Sequence, residues 1–332
     1  MQEQADLFLG DQSSEAIRIP PLGDTSHSER RKALRLKADD FEAAAQILET
    51  TGEYRVLRRL KPRPLAPPRL LNENERIGVI VDTETTGLDH TKDEIIELGM
   101  VAFVYDDKGC IGDIIGTFSK LREPSIAISP EITRITGITT EMVAGHSLDA
   151  DEVREFIAPA HLVIAHNARF DRPFCERLTQ EFSHKAWACS HVEIPWADLG
   201  FEGSKLGYLL SHCGWFHQGH RAVEDCHALL EVLATPVTAE GRSPLAHLLT
   251  SAERSVIRIW AEGSPFDMKD ALKKRGYRWN DGTDGRPKSW FIEIPDEAHT
   301  AELAFLRQEI YRRDVEPYTQ RMTAFERFRT LP

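Results

Sequence analysis

The sequence predicts an α/β chain: a mixed β-sheet flanked by helices, with a small α/β element before it and a small α+β domain after it. Three observations carry that expectation. From Ile77 onward, short apolar runs are first separated by turn residues and then by segments of helical period, the pattern of antiparallel strands followed by interleaved helices. The stretch Pro236 to Pro244 breaks the pattern, and a second series of strands and helices starts beyond it. The 332 residues, 41% hydrophobic and 28% charged, suffice for one large core and one small one.

Taken in order, residues 1–28 are polar, lack apolar periodicity and are expected to form a mobile tail. Residues 29–76 combine a small α/β element with a linker. Phe41, Ala44, Ala45, Ile47 and Leu48 have helical spacing, Gly52 ends the run, and Tyr54 to Leu60 suits a strand. Lys61-Pro62-Arg63-Pro64-Leu65-Ala66-Pro67-Pro68 reads as a stiff extended spacer.

Residues 77–237 form the expected main domain. Ile77–Val81, Glu97–Tyr105 and Ile111–Leu121 make a β-meander. Helices are expected at Ile128–Thr136 and Ser147–Phe156, a buried strand at Leu162–Ala165, and further helices at Arg172–Gln180, Leu206–His212 and Ala222–Leu233. Residues 238–254 read as a second linker. Residues 255–332 are the small α+β domain: strands at Val256–Trp260, Tyr277–Asn280 and Ser289–Ile294, and helices at Asp267–Arg275 and from about Glu297 to Arg313.

Bulk properties narrow the function. No apolar run reaches membrane-spanning length and Met1-Gln2-Glu3-Gln4 lacks a signal-like pattern, so a cytoplasmic protein with no membrane partner is expected. The five cysteines suggest reduced thiols. The net charge of −12 is uneven: roughly −4 for residues 1–28, +4 for 29–76 and −13 for 77–250. Such a core binds a polyanion only where cations neutralise the contact or basic flanks assist.

The acids of the main domain form a constellation. Asp82 and Glu84 are two apart at a strand end, so both side chains face one way and reach one cation. Gly87 permits a tight turn beside them. Asp171 follows a buried strand, near the start of a helix whose Pro173 suits a first turn. Asp225 lies early in the last helix of the domain, and His220 lies in the loop before it. Carboxylates gathered at one point repel unless hard cations hold them. Two divalent ions, three or four carboxylates and a histidine that takes a proton from water are what phosphodiester hydrolysis needs.

In Asp82-Thr83-Glu84-Thr85-Thr86-Gly87-Leu88, Glu94-Ile95-Ile96-Glu97-Leu98-Gly99, His166-Asn167-Ala168-Arg169-Phe170-Asp171 and His220-Arg221-Ala222-Val223-Glu224-Asp225, the chain resembles the DEDDh (DnaQ-like) exonuclease superfamily. The branch it is most similar to holds the epsilon proofreading subunits of bacterial DNA polymerase III and their stand-alone relatives. The resemblance spans about residues 77–235. It implies an RNase H-like fold, a bacterial cytoplasmic enzyme, Mg2+ or Mn2+ as two bound ions, and 3′→5′ hydrolysis releasing nucleoside monophosphates from single-stranded or frayed DNA 3′ ends. Carried over, Asp82 touches both ions, Glu84 and Asp225 complete one site, Asp171 supports the other and His220 is the base. Thr85, Gly87, Leu88, Asn167 and Phe170 cradle the terminal nucleotide. The chain departs from the replicative subunits at Ile135-Thr136-Gly137-Ile138, where those carry a His-Gly pair.

Gln4-Ala5-Asp6-Leu7-Phe8 resembles the short peptide with which bacterial polymerases and repair proteins bind the β sliding clamp. Leu7 and Phe8 would fill an apolar pocket and Gln4 would bond at its rim. Clamp and polymerase are thus the implied protein partners. An exoribonuclease trimming RNA ends is the alternative enzyme, and a non-catalytic accessory protein for the clamp or polymerase is the alternative of another class. Two further patterns stay open. Tyr277, Arg278, Trp279, Lys288, Trp290 and Phe291 interleave aromatic and basic residues, which suits base stacking or a small core. Cys189, His191, His212, Cys213 and His217 match no standard zinc spacing.

Overall fold

The computed structural model describes residues 38–238, 241–282 and 286–329, which fall into two units, Met1–Val56 and Leu57–Pro332. Of the first, residues 38–56 are described: helix α1 (Ala38–Thr50), on which Phe41 and Ile47 are exposed, and the turn that follows it. The Gln4–Phe8 peptide lies outside the described residues.

The second unit begins with β1 (Arg58–Arg59), all that forms of the strand expected at 54–60. Next come β2 (Glu75–Thr85), β3 (Ile95–Asp106) and β4 (Ile111–Leu121), the expected meander with longer strands. Helices α2 (Pro130–Thr136), α3 (Thr140–Val143) and α4 (Ala150–Ile157) lead to β5 (Leu162–Ala165). Then follow α5 (Ala168–Leu178), β6 (Ala186–Cys189), α6 (Ser190–Glu193), α7 (Leu206–His212), β7 (Trp215–Phe216) and α8 (Ala222–Ala234).

The main sheet has five strands in the order β4-β3-β2-β5-β6. β4, β3 and β2 are antiparallel, while β5 and β6 run parallel to β2. This is an RNase H-like sheet. Its two faces carry separate cores, because side chains alternate across a strand. Ile80, Val101 and Phe103 pack with Cys226, Leu229, Leu230 and Leu233 of α8. Val79, Val81, Leu98 and Met100 pack with Ala168, Phe174 and Cys175 of α5.

Both sheet edges are covered. The proline-rich stretch is no free spacer: it lies along edge strand β4, where the Ala66 N–H donates to the Ile114 carbonyl at 2.8 Å. Arg63 anchors it with two bonds to Glu231, at 2.6 and 2.7 Å. Prolines hold this backbone extended, and extended backbone can add to a sheet edge.

Residues 244–253 form a helix, α9 (Pro244–Glu253), where a linker is expected. Ser243 caps it and Pro244 opens it, so the proline read as a break is a helix start. Leu245, Leu248 and Ala252 bury its inner stripe in the α8-side core.

The C-terminal region then contributes β8 (Val256–Ala261), α10 (Lys269–Lys274), β9 (Arg278–Asn280), β10 (Ser289–Pro295), α11 (His299–Phe305) and β11 (Thr319–Met322). The strands form an antiparallel sheet in the order β11-β8-β10-β9, with Ile259, Ile292 and Ile294 packed on Leu272, Leu306 and Ile310. The long helix expected to Arg313 is shorter: α11 runs on into a π-helical turn, Leu306–Tyr311, which stops at the left-handed Arg312. The chain finally returns to edge strand β6, where the Trp187 N–H donates to the Ala324 carbonyl at 2.8 Å. Arg172, fully buried, donates to the carbonyls of Arg327 and Phe325 at 2.6 and 2.7 Å. Among the described residues no helix is long and apolar enough to cross a membrane.

Candidate active site

The acids meet at the end of β2. Asp82 and Glu84 lie on the α8 face of the sheet, and Gly99 of β3 is paired opposite Asp82. A Cβ on Gly99 would sit 2.3 Å from the backbone of Ala222 and Val223. The missing side chain therefore lets the first turn of α8 touch the sheet, and Asp225 lies in that turn. One ligand oxygen each of Asp82, Glu84 and Asp225 lies within 4.8 Å of the others. Among the described residues this is the only such grouping of His, Cys, Asp and Glu, so the cysteine–histidine pattern near residue 189 forms no comparable cluster.

Asp171 arrives from the opposite face. Helix α5 starts earlier than expected, at Ala168, which puts Asp171 in its first turn and Pro173 inside it. Asp171 is buried, and its Oδ1 accepts from the N–H and hydroxyl of Thr83 at 3.1 and 2.8 Å.

These carboxyls disturb one another. Burial first, then the charges of Asp171, Asp225 and Glu84, push Asp82 well above the usual carboxylate range. Burial and the charges of Asp225, Glu97 and Asp171 push Glu84 up to about 8. Burial pushes Asp171 up to about 7 against the bonds from Thr83. A bound hard cation removes that conflict and suits the all-oxygen donor set.

Around Asp225 the spacing alone left partners unseen. Its Oδ2 accepts from the Arg221 N–H at 3.1 Å, and its Oδ1 lies 2.8 Å from His217 Nε2. The buried Glu97, opposite Glu84 on β3, accepts from the Arg221 guanidinium at 2.9 Å and from the Ala222 N–H at 3.1 Å. Glu97 thus pins the start of α8. Its signal was a lone acid within an apolar strand.

His220 is exposed in the loop before α8 with φ of 64°, a left-handed conformation uncommon for a residue with a Cβ. With Asp225, His217, His166, Asn167 and Tyr208 it lines a cavity of about 720 Å³. His166 bridges Ser190 Oγ and the Ser204 carbonyl at 2.9 and 2.7 Å, and burial lowers its pKa to about 4. It is a neutral structural histidine.

Of the residues expected to cradle a nucleotide, Thr85, Gly87, Leu88 and Phe170 are not in the lining of this cavity. Asn167 lines it. The Thr85 hydroxyl donates to the Gly87 carbonyl at 2.6 Å, and a Cβ on Gly87 would collide with the Asp93 carboxylate. Leu88 is 84% exposed, and Phe170 packs on Phe174. Thr136, where the family pattern departs, donates to the Ile132 carbonyl of its own helix and accepts from the Ile138 N–H just beyond it. In the C-terminal sheet Tyr277 is core, with its hydroxyl on Glu302 at 2.9 Å, whereas Trp279 is half exposed against Trp290.

A family model described as an exonuclease (RNase_T) matches residues 79–233. The chain is 32% identical over 190 residues to DNA polymerase III subunit epsilon of Treponema pallidum (strain Nichols), covering 53% of this chain and 83% of that protein. It is 34% identical over 163 residues to the PolC-type DNA polymerase III of Clostridium perfringens (strain 13 / Type A), 47% of this chain but only 11% of that protein. A solved structure of exonuclease X in complex with 5′ overhanging duplex DNA aligns over 51% of this chain and 99% of its own, with 24% identity and a TM-score of 0.38.

Proposed function

The chain belongs to the DnaQ-like family of 3′→5′ exonucleases, and from that premise we propose that it removes nucleoside monophosphates from single-stranded or frayed DNA 3′ ends, in proofreading or repair in a bacterial cytoplasm. The observation that carries this reading is the convergence of Asp82, Glu84 and Asp225 within 4.8 Å, with Asp171 buried beside them. These four would hold two Mg2+ or Mn2+ ions. Such ions, when bound, neutralise charge on the phosphate and lower the pKa of the attacking water.

The chain's own groups supply the rest. Thr83 fixes the Asp171 carboxylate, and Glu97 with Arg221 fixes the turn bearing Asp225. His220 takes the proton from water, and its exposed loop lets it meet a strand entering the cavity. Asn167 touches the terminal nucleotide, while Thr85, Gly87, Leu88 and Phe170 shape its surroundings.

The test is hydrolysis of 5′-labelled DNA and RNA oligonucleotides of one sequence, with Mg2+ and with Mn2+. DNA is expected to be shortened stepwise from its 3′ end and faster than RNA, and Asp82→Ala should reduce the rate about 10³-fold or more. Equal rates for Asp82→Ala and the parent would refute the site; faster RNA cleavage would reverse the substrate.

The acidic core benefits from a tether, for which we propose the Gln4–Phe8 peptide on a sliding clamp, with a polymerase as a further partner. Tethering raises the local concentration of DNA ends. Replacing Leu7 and Phe8 by Ala should abolish binding to immobilised clamp and leave the hydrolysis of short oligonucleotides intact; retained binding would dispose of the idea.

A further inference from the structure

A second cavity, of about 640 Å³, lies between the exonuclease fold and the open face of the C-terminal sheet, and Asn167 lines both it and the catalytic cavity. Its charged lining is mostly cationic: Arg169 from α5, Arg254 after α9, Arg278 from β9 and Arg327 from the C-terminal segment, against Glu193 and Glu293. The acids are spoken for. Glu193 pairs with Arg327 at 2.7 Å, and Glu293 accepts from Arg258 and Arg278, each at 2.8 Å. Arg169 and Arg254 make no salt bridge or side-chain hydrogen bond among the described residues. The charge of Arg169, two residues before Asp171, is disfavoured first by burial and then by the like charge of Arg278, with Glu293 offsetting part of this and Arg258 adding to it.

Arg327 and Arg278 have acids of their own, which leaves Arg169 and Arg254 as surplus guanidiniums, the mirror image of the carboxylates next door. Each repels the others, and an anion relieves the repulsion. At about 640 Å³ the cavity is too large for a single inorganic ion, and it shares Asn167 with the catalytic one. The ligand that presents evenly spaced anions while its end lies among the carboxylates is a polynucleotide strand.

We propose that this trough holds the phosphodiester backbone of the substrate strand upstream of the terminal nucleotide, with Arg169, Arg254 and Arg278 as phosphate contacts. The proposal rests on the exonuclease reading above. The C-terminal domain, which lies outside the matched family region, then serves as one wall of the strand's path. In this way a chain of net charge −12 keeps hold of a polyanion even without a tether.

The experiment measures binding of a fluorescent, phosphorothioate-linked oligo(dT) of about 20 nucleotides, in Ca2+, as a function of salt, beside binding of the dinucleotide pTpT. Arg169→Ala/Arg254→Ala should weaken the long strand about tenfold, lower the slope of log K against log salt by about 1.4, and leave pTpT within twofold. Arg254→Glu alone, at an exposed position, should weaken it about threefold with unchanged thermal unfolding, which separates the effect from misfolding. Long-strand affinity within twofold of the parent in both variants, or an equal loss for pTpT, would overturn the proposal. Hydrolysis is measured in parallel on the unmodified strand. If the parent binds as described but cleaves nothing, the exonuclease reading fails and the trough stands. If it cleaves and the variants bind like the parent, the reverse holds.

Discussion

On one side of Asn167 lies the cavity that the carboxylate cluster reaches through Asp225, and on the other lies one whose surplus charges are guanidiniums. The two sets behave differently. Buried carboxyls respond by holding protons, Glu84 through burial and like charges and Asp171 through burial, and they recover their charge when a cation arrives. Guanidiniums stay charged whatever their neighbours, so their repulsion persists until an anion enters. The chain thus separates two demands that a polyanionic substrate makes. The place that cuts must be acidic to hold metal, and the place that grips must be basic. The acidic site is built by the sheet and its two helices. The basic one needs the added C-terminal sheet.

The largest expected effect comes from disturbing the acidic side alone. Gly99 has no room for a methyl group, because backbone atoms of α8 lie 2.3 Å from where it would sit. Gly99→Ala must push the start of α8 away from β3 and carry Asp225 away from Asp82 and Glu84. Misplacing a catalytic group by about 1 Å can cost about 10²-fold, and overpacking costs about 1–3 kcal/mol of stability. Turnover of a 3′-end substrate should fall by about that factor, while binding of the phosphorothioate strand should fall less than twofold. Unchanged turnover would show that the close approach at Gly99 does not set the carboxylate geometry. A parallel loss of strand binding would erase the distinction between the two cavities.

How much of this was legible beforehand follows the same division. Asp82, Glu84, Asp171, His220 and Asp225 stand in short motifs whose order resembles a known family, and that resemblance, not any local period, grouped residues so far apart in the chain. The meander and the α8 helix were legible from the strand and helix periods. Glu97 and Gly99 stand in one of those motifs, yet nothing local shows what they do, because their importance comes from a helix more than a hundred residues later in the chain. Helix α9 was missed because Pro244 reads equally well as a breaker and as a first-turn residue, and only its buried leucines decide. The trough was invisible. Arg169, Arg254 and Arg278 are far apart in sequence, and each alone looks like an ordinary solvated charge. Tertiary packing, not any local pattern, makes them neighbours.

The smaller effect lies in pH and metal, and it tests whether the acidic cavity is as self-repelling as its burial implies. Glu84, pushed up to about 8 from its ordinary 4.5, holds a proton in the folded chain that the unfolded chain has released. Across that window the native state binds more protons than the unfolded state, so stability falls as pH rises. The contribution is fully present below the unfolded value and is lost as pH climbs through the folded one. Asp171, pushed up to about 7, acts in the same direction. In EDTA, the unfolding temperature should therefore drop by about 3 °C or more between pH 5 and pH 8. Adding Mg2+ or Mn2+ at pH 8 should restore it, because the cation then takes the place of the lost protons. Glu84→Gln should flatten the pH dependence and blunt the gain on adding metal. The arginine trough should give the opposite pattern, insensitive to metal and to pH over this range but stabilised by a short phosphorothioate strand. A flat profile in EDTA for the parent would mean that the carboxylates are better hydrated than their burial suggests, and it would weaken the contrast between a cavity that waits for cations and one that waits for anions.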